Sequence, residues 1–216
     1  MAALKGAFID LGAGILGALP NIIVFQFNPD RVTRTPSRVL PPPRDDGSGT
    51  HNASQTPGQP GESISFTLRL DASDQLAQAN PIALASGILP GLSALELLMV
   101  PKQSPAAILS SLAGVSSSSQ TLPKLPTVLF FWGPFRILPV SVNNLSVTET
   151  EYDTLLNPVR AEVSIGLQVL TPAQLQDNNM ALGAFIYSQG VKQVMAALNL
   201  ANAAQIGIST ALSLSL

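Results

Sequence analysis

From Val159 to Val169 the chain places Val159, Ala161, Val163, Ile165, Leu167 and Val169 at every second position, with Arg160, Glu162, Ser164, Gly166 and Gln168 between them. A period of two sends the two sets to opposite sides of an extended backbone. No helix tolerates that pattern, so the chain must contain a sheet with one buried face. The stretch around it, Val128 to Thr171, reads as an aromatic strand, a tight break at Trp132-Gly133-Pro134, a second strand, an acidic connection at Glu149, Glu151 and Asp153, and then the alternating strand.

Further strands precede it. Ile22 to Phe27 is β-branched and aromatic and stops at Asn28-Pro29. Ser63 to Leu70 alternates, with Ile64, Phe66, Leu68 and Leu70 inward, and ends at a turn marked by Asp71 and Asp74. Between the two, residues 35–61 are rich in Pro, Gly, Ser, Asp and Asn and predict an exposed, mobile loop. From Pro90 the pattern becomes helical, with Leu92, Leu95 and Met99 on one face and Pro101 as the stop. A short helix at Ser104 to Leu112 and a linker at Gly114 to Thr121 follow. Thr171-Pro172-Ala173-Gln174 carries a capping pattern with a first-turn proline and predicts a helix start. An apolar stripe then runs through Leu182, Phe185, Ile186, Val191, Val194, Met195 and Leu198, and no charged side chain occurs after Lys192.

The expected fold is therefore α+β. A β-barrel or β-sandwich core of about five or more strands carries a short inserted helix within residues 1–171, and residues 172–216 form a helical, apolar extension.

Composition limits what such a chain does. Hydrophobic residues make up 46%, charged residues 11%, and mean hydropathy is +0.32. So few charges leave apolar surface for a membrane or for other subunits to cover. Subunits are the favoured cover, because no run of apolar residues is long enough to span a bilayer. A net charge of −2 argues against nucleic acid as the main partner. The absence of cysteine excludes thiol catalysis and cysteine metal sites. Lys5 followed by an apolar stretch faintly resembles a secretory signal, but Asp10 interrupts it. A glycine-rich arm packed on the domain or on a neighbour is the plainer reading.

No chemistry-bearing motif survives inspection. Gly12, Gly14 and Gly17 match a dinucleotide fingerprint by letter, yet a ribose-binding acid at the required spacing is missing. His51 is the single histidine and lies within the Pro/Gly-rich loop, without a scaffold for a triad or a metal. The acid groups Asp71/Asp74 and Glu149/Glu151/Asp153 fit solvated strand ends better than general acid–base pairs. Arg31, Arg34, Arg38 and Arg44 form the one basic cluster, with acids as neighbours and no interleaved aromatics. Catalytic, cofactor and metal roles are thus not expected.

Several segments in order resemble one family. Phe25-Gln26-Phe27-Asn28-Pro29, followed by Arg31 and Arg34, resembles its opening strand and turn, and Ser63 to Asp74 the strand after its variable loop. Leu92 to Pro101 resembles its helix. Trp132-Gly133, Leu145-Ser146-Val147-Thr148 and Asn157-Pro158-Val159-Arg160-Ala161 resemble its closing strands. The chain is in this way similar to the LysM-associated baseplate proteins of contractile phage tails and contractile injection systems. The resemblance implies a non-catalytic hub adaptor, in a sixfold ring, linking spike and inner tube to the surrounding wedge. It also implies assembly in the cytoplasm and residence in a phage-tail-like particle. The LysM module itself has no counterpart after Thr171, where the apolar extension stands instead. Arg31, Arg34, Arg38, Trp132, Val194, Met195 and Leu198 are the expected partner contacts. A membrane-associated binding protein using its apolar termini is the alternative.

Overall fold

The computed structural model describes residues 4–12, 21–38, 60–101 and 125–214, with side chains through Ala204. Among the described residues seven strands form one antiparallel sheet: β1 (Ala7–Asp10), β2 (Asn21–Val24), β3 (Val32–Ser37), β4 (Gly61–Asp71), β5 (Val128–Phe131), β6 (Ile137–Tyr152) and β7 (Pro158–Val169), in the order β2-β1-β5-β6-β7-β4-β3. With its helices, this is an α+β fold. The alternating strand is β7, placed between β6 and β4, where Val163 pairs with Val147 on one side and Leu68 on the other. Ala161, Val163, Ile165, Leu167 and Val169 are all buried, as the period requires.

The sheet is strongly curled. Phe8 on β1 and Phe66 on β4 are four strand steps apart in the order, which would separate them by about 19 Å in a flat sheet. Their ring centroids lie 6.2 Å apart. Only a sheet rolled toward a barrel brings them together. The edges β2 and β3 do not pair, so hydrogen bonding leaves the barrel open. The segment after β2 bridges that opening. Phe25 packs edge-on against Phe8 at 5.0 Å, and the Gln26 side-chain amide exchanges hydrogen bonds with the Asp71 backbone. The Phe25-Gln26-Phe27-Asn28 motif thus has a structural reason: Phe25 enters the core, Gln26 ties to the end of β4, and Asn28 accepts from the Gly6 N–H and donates to the Leu4 carbonyl. Phe8, Phe130, Val128, Val140 and Val163 are fully buried at the centre of the core.

Three short helices follow β4: α1 (Ser73–Ala77), α2 (Pro81–Ser86) and α3 (Leu89–Glu96), the last continued by a 3-10 turn at Leu97–Met99. Asn80 caps α2 by accepting from the Ile82 and Ala83 N–H groups. Leu92, Leu95 and Leu98 enter the barrel core, with Met99 only partly buried beside them. Gly87, at φ +54, lies so close to β7 that a Cβ would stand 2.1 Å from the Pro158 carbonyl oxygen. That oxygen accepts the Ile88 N–H at 2.9 Å and fixes the helices to the sheet.

Several expectations need correction. The N-terminal arm contributes β1, which pairs with both β2 and β5. Residues 35–37 belong to β3 and Gly61 opens β4, so the loop expected over 35–61 is shorter. The remainder of that loop, His51 and Arg44 within it, Gly14 and Gly17, the helix at Ser104 to Leu112 and the linker at Gly114 to Thr121 lie outside the described residues. The acidic connection is mostly strand: β6 runs through Glu149 and Glu151 to Tyr152, Glu151 stands opposite Arg160, and Asp153 alone lies in the turn. Glu151 and Asp71 both bind the Arg160 guanidinium, at 2.6 and 2.8 Å, and this cross-strand charge pairing keeps the strand going. Finally, the capping pattern at Thr171 to Gln174 closes only a 3-10 turn. The long helix α4 (Asn179–Leu214) starts later, because Leu175 first turns into the core and Asn178 then caps Ala181.

Candidate interaction site

Helix α4 divides into an anchored part and an exposed part. In the first, Ala181 and Phe185 join Leu175 in a small buried cluster, packed with Leu11, Leu170 and Leu182. The Ser188 hydroxyl, also buried, donates to the Ile137 carbonyl, and the Tyr187 hydroxyl donates to the Pro134 carbonyl at 2.8 Å. The last tie is Lys192, whose ammonium lies 3.2 Å from Glu62 Oε2. The packing therefore does not end at residue 171, where composition divides the chain; it continues to about Lys192.

Glu62 is the centre of that anchor. It occupies an inward position on β4, in phase with Ile64 and Phe66, and its side chain is 8% exposed. Arg34 on β3 binds Oε1 through Nε and Nη2, Lys192 binds Oε2, and Arg136 lies near enough to feel both Arg34 and Glu62. Burial and then the Arg34 charge lower the Arg136 pKa, and Glu62 opposes them. One buried carboxylate on β4 thus ties β3 and α4 together through two ion pairs, with Arg136 of the turn before β6 within its field. Sequence reasoning missed it, although a signal was present: an acid one step before Ser63 falls on the apolar parity of the strand.

Beyond Lys192 every described side chain of α4 is exposed, through Ala204. Val194, Met195, Leu198 and Leu200 all stand in solvent, with Leu200 at 72%. Their positions span more than half the circumference of the helix at 100° per residue, and no charged residue accompanies them. A helix apolar on most sides belongs inside something.

The remaining expected contact residues are scattered. Arg31 lines an open cleft of about 1210 Å³ on the outer face of β4 and β7, with Arg69, Glu162 and Ser164. Arg34 is committed to Glu62. Arg38 is exposed just past β3. Trp132 stacks on Phe130 at 5.9 Å and packs on the core, whereas Phe135 in the following turn is 62% exposed. Phe130, Phe131, Trp132 and Phe135 therefore do not make one surface patch, being divided between core and surface. Val194, Met195 and Leu198 alone come together on one exposed element.

No protein-family model matches the chain, and no curated protein matches it. Among the described residues no helix is long and apolar enough to cross a membrane.

Proposed function

We propose that the chain is a non-catalytic structural subunit of a contractile injection baseplate or related phage-tail-like particle, joining the spike and inner-tube hub to the surrounding wedge. The observation that carries the structural role is the stretch of α4 from Gln193 to Ala204, which has no charge and in which every described side chain is exposed, on a helix anchored at its base through Lys192. Each large apolar side chain left in water forgoes about 1.5–3 kcal/mol. Four such side chains represent a penalty that a partner subunit relieves on docking. The resemblance of the Phe25–Arg34, Ser63–Asp74 and Val128–Thr171 segments supports the choice of machine. In this reading α4 stands where the related proteins carry a LysM module and takes over docking.

The test is truncation after Lys192 in the organism's own particle operon. The truncated protein should fold and accumulate, while purified particles lack it or fail to form. Normal incorporation of the truncated chain would refute the docking role. Flotation of the full chain with neutral vesicles, lost on truncation, would favour the membrane alternative.

A further inference from the structure

The β6–β7 hairpin ends in two leucines held in water, Leu155 at 74% and Leu156 at 79% exposure. Their backbone is tightly braced. Asp153 Oδ1 accepts the Leu155 and Asn157 N–H groups at 2.7 and 2.8 Å, and Oδ2 accepts Asn157 Nδ2 at 2.9 Å. The Leu156 N–H donates to the Asp153 carbonyl at 3.1 Å. Within this frame Leu156 has φ +64, the left-handed region that Gly or Asn occupies at less cost. A turn that needed only its shape would be better served by either. Leucine there keeps a side chain displayed against backbone strain, which is the mark of a contact residue. Being pre-ordered, the tip loses little entropy on binding.

Charge narrows the occupant. Glu149, Glu151 and Asp153 flank the knob, and the cation described beside them, Arg160, is already engaged by Asp71 and Glu151. An anionic bilayer would repel such a tip. The receptor that suits it is an apolar depression with a cation at the rim. A small hollow beside the turn before β6 has this character, its cation being the Lys5 ammonium, which donates to the Gln26 carbonyl at 2.8 Å and faces no carboxylate in that bond. Leu4, Lys5, Gly6, Asn28, Trp132 and Gly133 line a hollow of about 250 Å³. Gly6 lets the Trp132 ring lie against the backbone, since a Cβ there would approach the ring at 2.8 Å. At Gly133 the nearest atom to a Cβ would be Leu4 Cδ2 at 3.8 Å, so the hollow is open on that side.

Knob and hollow are separated by the sixteen residues of β6, roughly 50 Å of strand, so no single copy can join its own two ends. We propose that Leu155 and Leu156 of one copy seat in the Trp132–Lys5 hollow of a second copy, head to tail. The inference supplies a contact for the ring that the baseplate reading implies, but it rests on the tip and the hollow alone, so its failure would leave that reading standing. Repetition of such a contact closes a ring or grows a filament, according to the rotation between copies.

Sedimentation of the full chain over a concentration series tests this. The wild type should self-associate, and Leu155→Ser/Leu156→Asn and, separately, Lys5→Glu should each weaken association by roughly tenfold or more. Both changes are at exposed positions, and Asn suits the φ of residue 156. Mixed together, the two variants retain one intact knob and one intact hollow and should form a dimer but nothing larger. Because the chain lacks cysteine, Leu155→Cys mixed with Leu4→Cys should oxidise preferentially to the 155–4 disulfide. A monomeric wild type, variants that associate like the wild type, or a mixture without dimer would overturn the proposal. So would association lost only on truncation after Lys192, or tip-dependent binding to phosphatidylcholine vesicles by a chain that stays monomeric.

Discussion

Truncating the chain at two places separates the part of α4 that holds the domain together from the part that does not. Removal after Thr171 deletes Leu175 and Phe185, which are 1% and 6% exposed, together with the fully buried Ala181. At about 1.5–3 kcal/mol for each large buried side chain, the loss is roughly 3–6 kcal/mol, before the uncovered faces of Leu11 and Leu170 are counted. Against a typical stability of about 5–15 kcal/mol, that is a large share of the total. Removal after Lys192 deletes no described side chain that is buried, so its cost should stay below about 1 kcal/mol. Urea unfolding followed by circular dichroism measures both. The longer fragment should keep the wild-type midpoint and gain solubility, and the shorter should unfold at much lower urea or fail to accumulate. Equal destabilisation by the two cuts would refute the assignment of Lys192 as the last anchor, and so the claim that the rest of α4 is free for docking.

Glu62→Gln removes the carboxylate from among Arg34, Arg136 and Lys192. Losing one partner of a buried pair costs about 3–5 kcal/mol, and the partial exposure of Arg34 and Lys192, 34% and 45%, reduces this to about 1–3 kcal/mol, readable as a lower urea midpoint. Val163→Asp places a charge at a fully buried position and should cost several kcal/mol, seen as loss of soluble protein; a folded variant would mean that the inward face of β7 is misassigned. Acid should destabilise the domain through two aspartates. Burial raises the Asp71 pKa, but hydrogen bonds from Ser73 and the Arg160 guanidinium outweigh it and hold the carboxyl below its ordinary value; hydrogen bonds from Asn157 and the Leu155 N–H do the same for Asp153. A depressed folded pKa contributes stability above the unfolded value of about 3.9 and loses it as pH falls through the folded one. The melting temperature should thus hold from neutral pH down to about 5 and drop below about 4, less steeply in Asp153→Asn.

Much of the core was legible because burial of one sheet face imposes a period of two on the letters. The inward sets of β4 and β7 follow it, and Leu92 and Leu95 follow the helical period in the same way. Short elements were not legible. β1 is four residues among glycines, and β3 contains Arg34 and Pro36; both are strands because neighbouring strands supply hydrogen bonds, which no local propensity records. The capping pattern at Thr171 predicts a helix start but caps only a 3-10 turn, because Leu175 turns inward to be buried before the long helix begins at Asn179.

The sequence by itself determined that one face of a sheet is buried and that the chain after Lys192 has no charge to keep it in water, since both depend only on side-chain type and spacing. Tertiary structure decided the rest. Curling of the sheet brings Phe8 against Phe66, and folding places Lys192 and Arg34 on Glu62, 130 and 28 residues away. The hairpin closure also holds Leu156 in a left-handed conformation. Contacts between residues distant in the chain depend on how the backbone closes on itself, and a one-dimensional period carries no trace of that.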